Sequence, residues 1–112
     1  MEIKIFRANR GEGKTKWLFE RAAEAHDEGR ELYYVGSDNT MDNLVDMWIT
    51  NMHSLCPIKK LDYMFRSDYT KKYCFLTDEL IDNIASAGFW MHSVKSTNSV
   101  WYATMDKKDF VN

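Results

Sequence analysis

The chain has 112 residues, 45% apolar and 14% aromatic, with a formal net charge of −2. That apolar content is enough to bury a core and argues against an unfolded chain, and the length sets a single small domain over residues 1–112. A faintly acidic balance speaks against a chain that grips nucleic acid by charge alone, although a local basic patch stays open.

In chain order, Ile3 to Arg7 is a short β-type run that leads into a glycine-containing turn. Lys14 to Glu28 has helical spacing, with Trp17, Leu18, Ala22 and Ala25 on one face, and Gly29 is a natural stop. Leu32 to Val35 is a second β-prone run, ending at Gly36, Ser37 and Asp38. From about Thr40, the residues Met41, Leu44, Val45, Trp48, Ile49 and Met52 follow a helical period, and that helix must end before Pro57. Ile58 to Lys72 is the least readable stretch; within it Lys59 to Phe65 suits either a short strand or a helical turn. Tyr73 to Thr77 is a further β run that ends on Asp78 and Glu79. Ile81, Ile84, Ala85 and Phe89 then announce a helix, Val100 to Thr104 reads as the last strand, and Asp106 to Asn112 as a short tail. Strands alternating with helices predict an α/β fold in three layers, a small parallel sheet covered on both faces.

Ala8-Asn9-Arg10-Gly11-Glu12-Gly13-Lys14-Thr15 fits the pattern [Ala/Gly]-x-x-x-x-Gly-Lys-[Ser/Thr]. Gly11 and Gly13 allow a tight turn that aims backbone N–H groups inward at phosphate oxygens. The helix that follows adds its positive end at the same point. Lys14 is expected to reach the β- and γ-phosphates of a nucleotide, and the Thr15 hydroxyl to ligate Mg²⁺. Lys16, next in the chain, joins the expected nucleotide-binding set. The strand before and the helix after are the setting this pattern requires.

Asp78 and Glu79 close an apolar strand. In a parallel sheet that strand end lies on the same edge as the loop, where ligands gather. Asp78 is then placed for the Mg²⁺ shell and Glu79 to orient an attacking water. The same pair also suits the acidic first turn of the next helix, which the helix dipole favours.

A phosphate loop followed by a strand ending in Asp-Glu resembles the additional-strand, catalytic-glutamate class of P-loop NTPases. The resemblance implies a minimal P-loop NTPase core in which a further strand separates the two motif strands and ends in a polar sensor. Val100 to Thr104 is the candidate, with Thr104 as the sensor-like group. The implied order is phosphate-loop strand, sensor strand, acidic-pair strand, then Leu32–Val35 at the edge. More narrowly, Ala8-Asn9-Arg10 before Gly-Lys-Thr looks like the loop of viral DNA-packaging, terminase-type ATPases, where an arginine in the loop steadies charge on the γ-phosphate. Arg10 takes that place. This likeness implies a bacteriophage or mobile-element origin, although the chain is far shorter than a packaging ATPase and carries no nuclease domain or coupling motif.

Other residues carry weaker signals. Arg66 suits an arginine finger toward a neighbouring subunit, or a solvated loop charge. Asp38 and Asn39 sit at the ligand edge, where turn chemistry explains them equally well. Lys59-Lys60 and Lys71-Lys72, near Tyr63, Phe65, Tyr69 and Tyr73, suit either a nucleic-acid face or a solvated face over core aromatics. Trp90, Trp101 and Tyr102 are expected in the core. His26, His53 and His92 show no metal spacing, and neither do the two cysteines, Cys56 and Cys74; Cys74 reads as a buried thiol. Met1-Glu2-Ile3-Lys4 lacks a signal-peptide pattern and no apolar run approaches a membrane span, so the expected place is the cytoplasm, that of the host if phage-encoded.

The expectation is therefore a Mg²⁺-dependent nucleoside triphosphatase, with ATP or another nucleoside triphosphate as ligand. Its partner is a protein, a second copy or nucleic acid, the last unsupported by net charge, and no membrane is expected. The alternative is a non-catalytic interaction module of the same fold that binds a host or phage protein. A nucleotide kinase would need an arginine-rich lid and an acceptor site, and the sequence offers neither.

Overall fold

A computed structural model describes residues 1–109 of the chain. Its strands are β1 (Glu2–Ala8), β2 (Glu31–Tyr34), β3 (Lys59–Lys60), β4 (Lys72–Thr77) and β5 (Asn98–Asp106). Its α-helices are α1 (Lys14–Asp27), α2 (Asp38–Met52) and α3 (Ile84–Ser93), with 3₁₀ turns at Leu80–Asn83 and Lys107–Asp109.

Each boundary has a local cause. Gly29 donates its N–H to the His26 carbonyl and Arg30 to that of Ala25, which closes α1. Ser37 caps α2, its hydroxyl accepting from the Thr40 N–H at 3.4 Å, so the helix begins slightly before the predicted Thr40.

The five strands form one parallel sheet in the order β1-β5-β4-β2-β3. The predicted order holds from β1 to β2, with β5 between the two motif strands. One correction concerns the edge: Leu32–Val35 is not outermost, because Tyr33 and Tyr34 pair with Lys59 and Lys60 of β3. The region predicted from Lys59 to Phe65 thus yields only a two-residue strand. The final strand also runs past Thr104 to Asp106, which belongs to the sheet rather than to the tail; residues 110–112 of the predicted tail lie outside the described residues.

Two clusters make the three layers. On one face, Leu18 and Ala22 of α1 and Leu44 and Trp48 of α2 cover Leu32, Tyr34, Cys74, Leu76 and Val100. On the other, Ala87 of α3 and Val94 cover Tyr73, Phe75, Trp101 and Ala103. Trp101 is buried as predicted, whereas Trp90 and Tyr102 are half-buried. In α3 the buried face is not the one the spacing suggested: Ile81, Ile84, Ala85 and Phe89 are all exposed. β1 also departs from a strand buried on both sides. Phe6 stacks on Trp17 at 5.2 Å beneath α1, while Ile3 and Ile5, on the opposite face, are each 45% exposed. Among the described residues, no helix is long and apolar enough to cross a membrane.

Candidate functional site

All strands run the same way, so their C-terminal ends share one edge of the sheet, and the loop leaves β1 at that edge. Ala8, the last residue of β1, is buried opposite Asp106. The turn is tied by two hydrogen bonds between its own residues: Asn9 N–H donates to Glu12 Oε1 at 2.7 Å, and Glu12 N–H to the Asn9 carbonyl at 3.1 Å. Gly11 and Gly13 have φ of 82° and 84°, and a Cβ at either would meet nothing within 4 Å. Backbone conformation, not lack of space, is what demands glycine there. Gly13 precedes α1 with no side-chain cap, so the first N–H groups of the helix are left for an external acceptor.

Lys14 is 7% exposed, and its Nζ lies 3.4 Å from Glu79 Oε1 and 3.5 Å from Asp106 Oδ2. Thr15 Oγ1 donates to Asp78 Oδ2 at 2.9 Å. The loop and the acidic strand end, separated by more than half the chain, therefore meet through two direct contacts. A cleft of about 230 Å³ is lined by Arg10, Gly11, Gly13, Lys14, Thr15 and Glu79. Asn9, Glu12 and Lys16 are exposed and outside that lining.

Thr104 is fully buried. Its hydroxyl donates to Asp78 Oδ1 at 2.5 Å and accepts from the Glu79 N–H at 2.9 Å. It thus holds the acidic pair from behind. Asn83 Nδ2 donates to the carbonyls of Asp78 and Glu79 at 3.1 and 3.3 Å, and Asp78 N–H donates to the Tyr34 hydroxyl at 3.4 Å. Glu79 itself has φ 55°, the left-handed region that non-glycine residues avoid. Those backbone bonds hold it there, and its side chain faces Lys14.

Three positioning groups escaped the sequence reading: Asp106, Asn83 and Tyr34. Asp106 had a signal, since it is the first charge to interrupt the apolar run of the last strand. Its carboxyl is held below the usual range, first by the Lys108 N–H at 3.2 Å and then by the Lys14 ammonium. Tyr34 carried none, because only the pairing of β2 beside β4 brings it to Asp78, whereas Asn83 reaches back to the pair from the 3₁₀ turn that follows it. The weaker candidates find local roles. Arg66 donates to the carbonyls of Tyr63 and Phe65, and Asp38 pairs with Lys60 at 2.6 Å.

The donors suit a small hard cation. Thr15 Oγ1 and Asp78 Oδ2 are adjacent oxygens, Thr15 lining the cleft and Asp78 buried beside it, and Mg²⁺ takes few protein ligands because it keeps several waters and adds phosphate oxygens. Charge points the same way. Lys14 faces two carboxylates, Glu79 and Asp106, and Thr15 faces a third, Asp78, so a polyanion entering alone meets acidic groups beside Lys14 and Arg10. Comparison of the chain with protein families, curated proteins and solved structures finds no match.

Proposed function

We infer that the chain binds a nucleoside triphosphate together with Mg²⁺ at the Ala8–Thr15 loop and hydrolyses it, with ATP as the working substrate. One observation carries the reading: Thr15 of the loop and Asp78 of the acidic strand end share a hydrogen bond of 2.9 Å, while Lys14 faces Glu79 across the same cleft. A strand-loop-helix alone is a turn with glycines; joined to an acidic pair on the same edge, it is a phosphate and metal site.

The uncapped start of α1 and the loop N–H groups receive the β- and γ-phosphates. Lys14 exchanges its carboxylate partners for phosphate oxygens. Thr15 and Asp78 would hold Mg²⁺, which would supply charge neutralisation to those oxygens. Released from Lys14, the Glu79 carboxylate accepts a hydrogen bond from a water and directs it at the γ-phosphorus. The water oxygen bonds to phosphorus as its proton passes to the Glu79 carboxylate, the bond to the β–γ bridging oxygen breaks, and nucleoside diphosphate and phosphate leave. Arg10, at the rim of the cleft, steadies charge on the γ-phosphate.

Titration calorimetry with ATP and Mg²⁺ tests this directly. The wild type is expected to bind, and Lys14→Ala to lose detectable binding while its circular dichroism spectrum stays unchanged. Equal affinity in the two proteins would falsify the reading. Absence of binding by the wild type to any nucleoside triphosphate would favour the non-catalytic interaction module instead.

A further inference from the structure

The two edges of the sheet are guarded unequally. β3 is two residues long and both are exposed lysines, a short charged edge of the kind that discourages further pairing. β1 is seven residues long, pairs only with β5 among the described strands, and leaves its other side open. On one face of that strand, Met1, Ile3 and Ile5 are 47%, 45% and 45% exposed. On the other face Glu2 and Lys4 are exposed and pair with each other at 3.2 Å.

We propose that the free edge of β1 is an interface for a second copy of this chain, joined antiparallel about a twofold axis at Ile3, so that two five-stranded sheets become one continuous sheet. The argument is one of register. A twofold axis perpendicular to the sheet keeps the two faces distinct, so residues on one face meet only residues of that face. Centring the pair on Lys4 sets Lys4 against Lys4, a like-charge contact that is destabilising. Centring it on Ile5 sets Lys4 against Phe6 and Glu2 against Ala8, which gives neither charge a partner across the interface. Centring it on Ile3 sets Glu2 against Lys4 twice on one face, and Ile3 against Ile3, with Met1 against Ile5, on the other. Only this register matches the charges while it covers the exposed apolar side chains. The two Glu2–Lys4 pairs within the copies are exchanged for two pairs between them.

The register makes a reciprocal-charge test decisive. In sedimentation velocity across micromolar to millimolar concentrations, the wild type is expected to shift from the 13.2 kDa monomer toward twice that mass. Glu2→Lys alone sets lysine against lysine and Lys4→Glu alone sets glutamate against glutamate, so each variant is expected to stay monomeric. An equimolar mixture of the two restores both opposite-charge pairs and is expected to form the heterodimer, as is the double reversal E2K/K4E with itself. All substitutions are at exposed positions, and circular dichroism checks that each variant is folded. ATP affinity is expected to be unchanged in every variant, which keeps the outcome separate from the nucleotide reading. A wild type that stays monomeric throughout overturns the proposal. So do single variants that dimerise as well as the wild type, or a mixture that does not associate.

Discussion

In the proposed reaction Glu79 carries the water-directing role, and its geometry is unusual. Its backbone is held at φ 55°, a conformation that costs a non-glycine residue about 1–3 kcal/mol. The Thr104 hydroxyl on its N–H and the Asn83 amide on its carbonyl hold it in place. The geometry turns the carboxylate toward Lys14, so the residue that would direct water also neutralises the lysine before nucleotide arrives. Replacement by glutamine keeps size and shape but removes the charge and the basic oxygen. Glu79→Gln is therefore expected to fold and to bind ATP with Mg²⁺, while steady-state phosphate release falls by about 10²-fold or more. Unchanged turnover would take Glu79 out of the mechanism. The type and neighbourhood of Asp78, Glu79 and Lys14 were legible in the sequence. The part played by Asp106 was not, because the last strand runs two residues past its predicted end at Thr104 and so carries Asp106 opposite Ala8 and up to Lys14.

At the scale of the element, α2 shows how far periodicity reaches. Its apolar residues follow the helical repeat, yet the repeat does not rank them. Trp48 is 1% exposed, meets Phe19 edge-on at 5.9 Å and His26 at 5.4 Å, and donates its ring N–H to Ser54 Oγ at 3.2 Å. Ile49, its neighbour on the same stripe, is 53% exposed. Trp48→Ala is expected to lower the free energy of unfolding by about 3–5 kcal/mol, since it leaves a cavity between α1 and α2. Ile49→Ala should cost less than about 1 kcal/mol. Urea titration of the two variants side by side distinguishes them. α3 was read less well because it is apolar nearly all round, so no spacing could mark one face. The buried residue of the helix is Ala87, which joins the cluster of Tyr73, Phe75 and Trp101.

For the molecule as a whole, burial of two weakly acidic groups sets its response to alkali. Burial pushes the Cys74 thiol from 9.0 to about 12, and it pushes the Tyr34 phenol from 10.0 to about 12. In the folded chain both stay protonated where the unfolded chain has released its protons. The unfolded state then binds fewer protons, so stability falls as pH rises. The contribution is intact below the unfolded values of 9.0 and 10.0 and is lost progressively as pH climbs through them toward about 12. The thermal midpoint is expected to decline steadily above about pH 9, and Cys74→Ala should lessen that decline. A midpoint that stays flat across the same range would contradict it.

The loop and its setting were determined by sequence alone, because their causes are local. Gly11 and Gly13 supply positive φ within one turn, Lys14 and Thr15 open the helix, and the apolar runs before and after fix a strand and a helical face. The alternation of strands and helices likewise determined a parallel, layered α/β fold. No local pattern decided which strands are neighbours: the order from β1 to β2 came with the family resemblance, and the tertiary structure added β3 outside β2. β5 lies between β1 and β4, so from the far end of the chain Thr104 reaches the acidic pair and Asp106 reaches Lys14, while Tyr34 reaches Asp78 from β2. It also left β1 at an edge, with Ile3 and Ile5 on an uncovered face. Pairing between distant segments depends on how whole layers pack, and no local period records it.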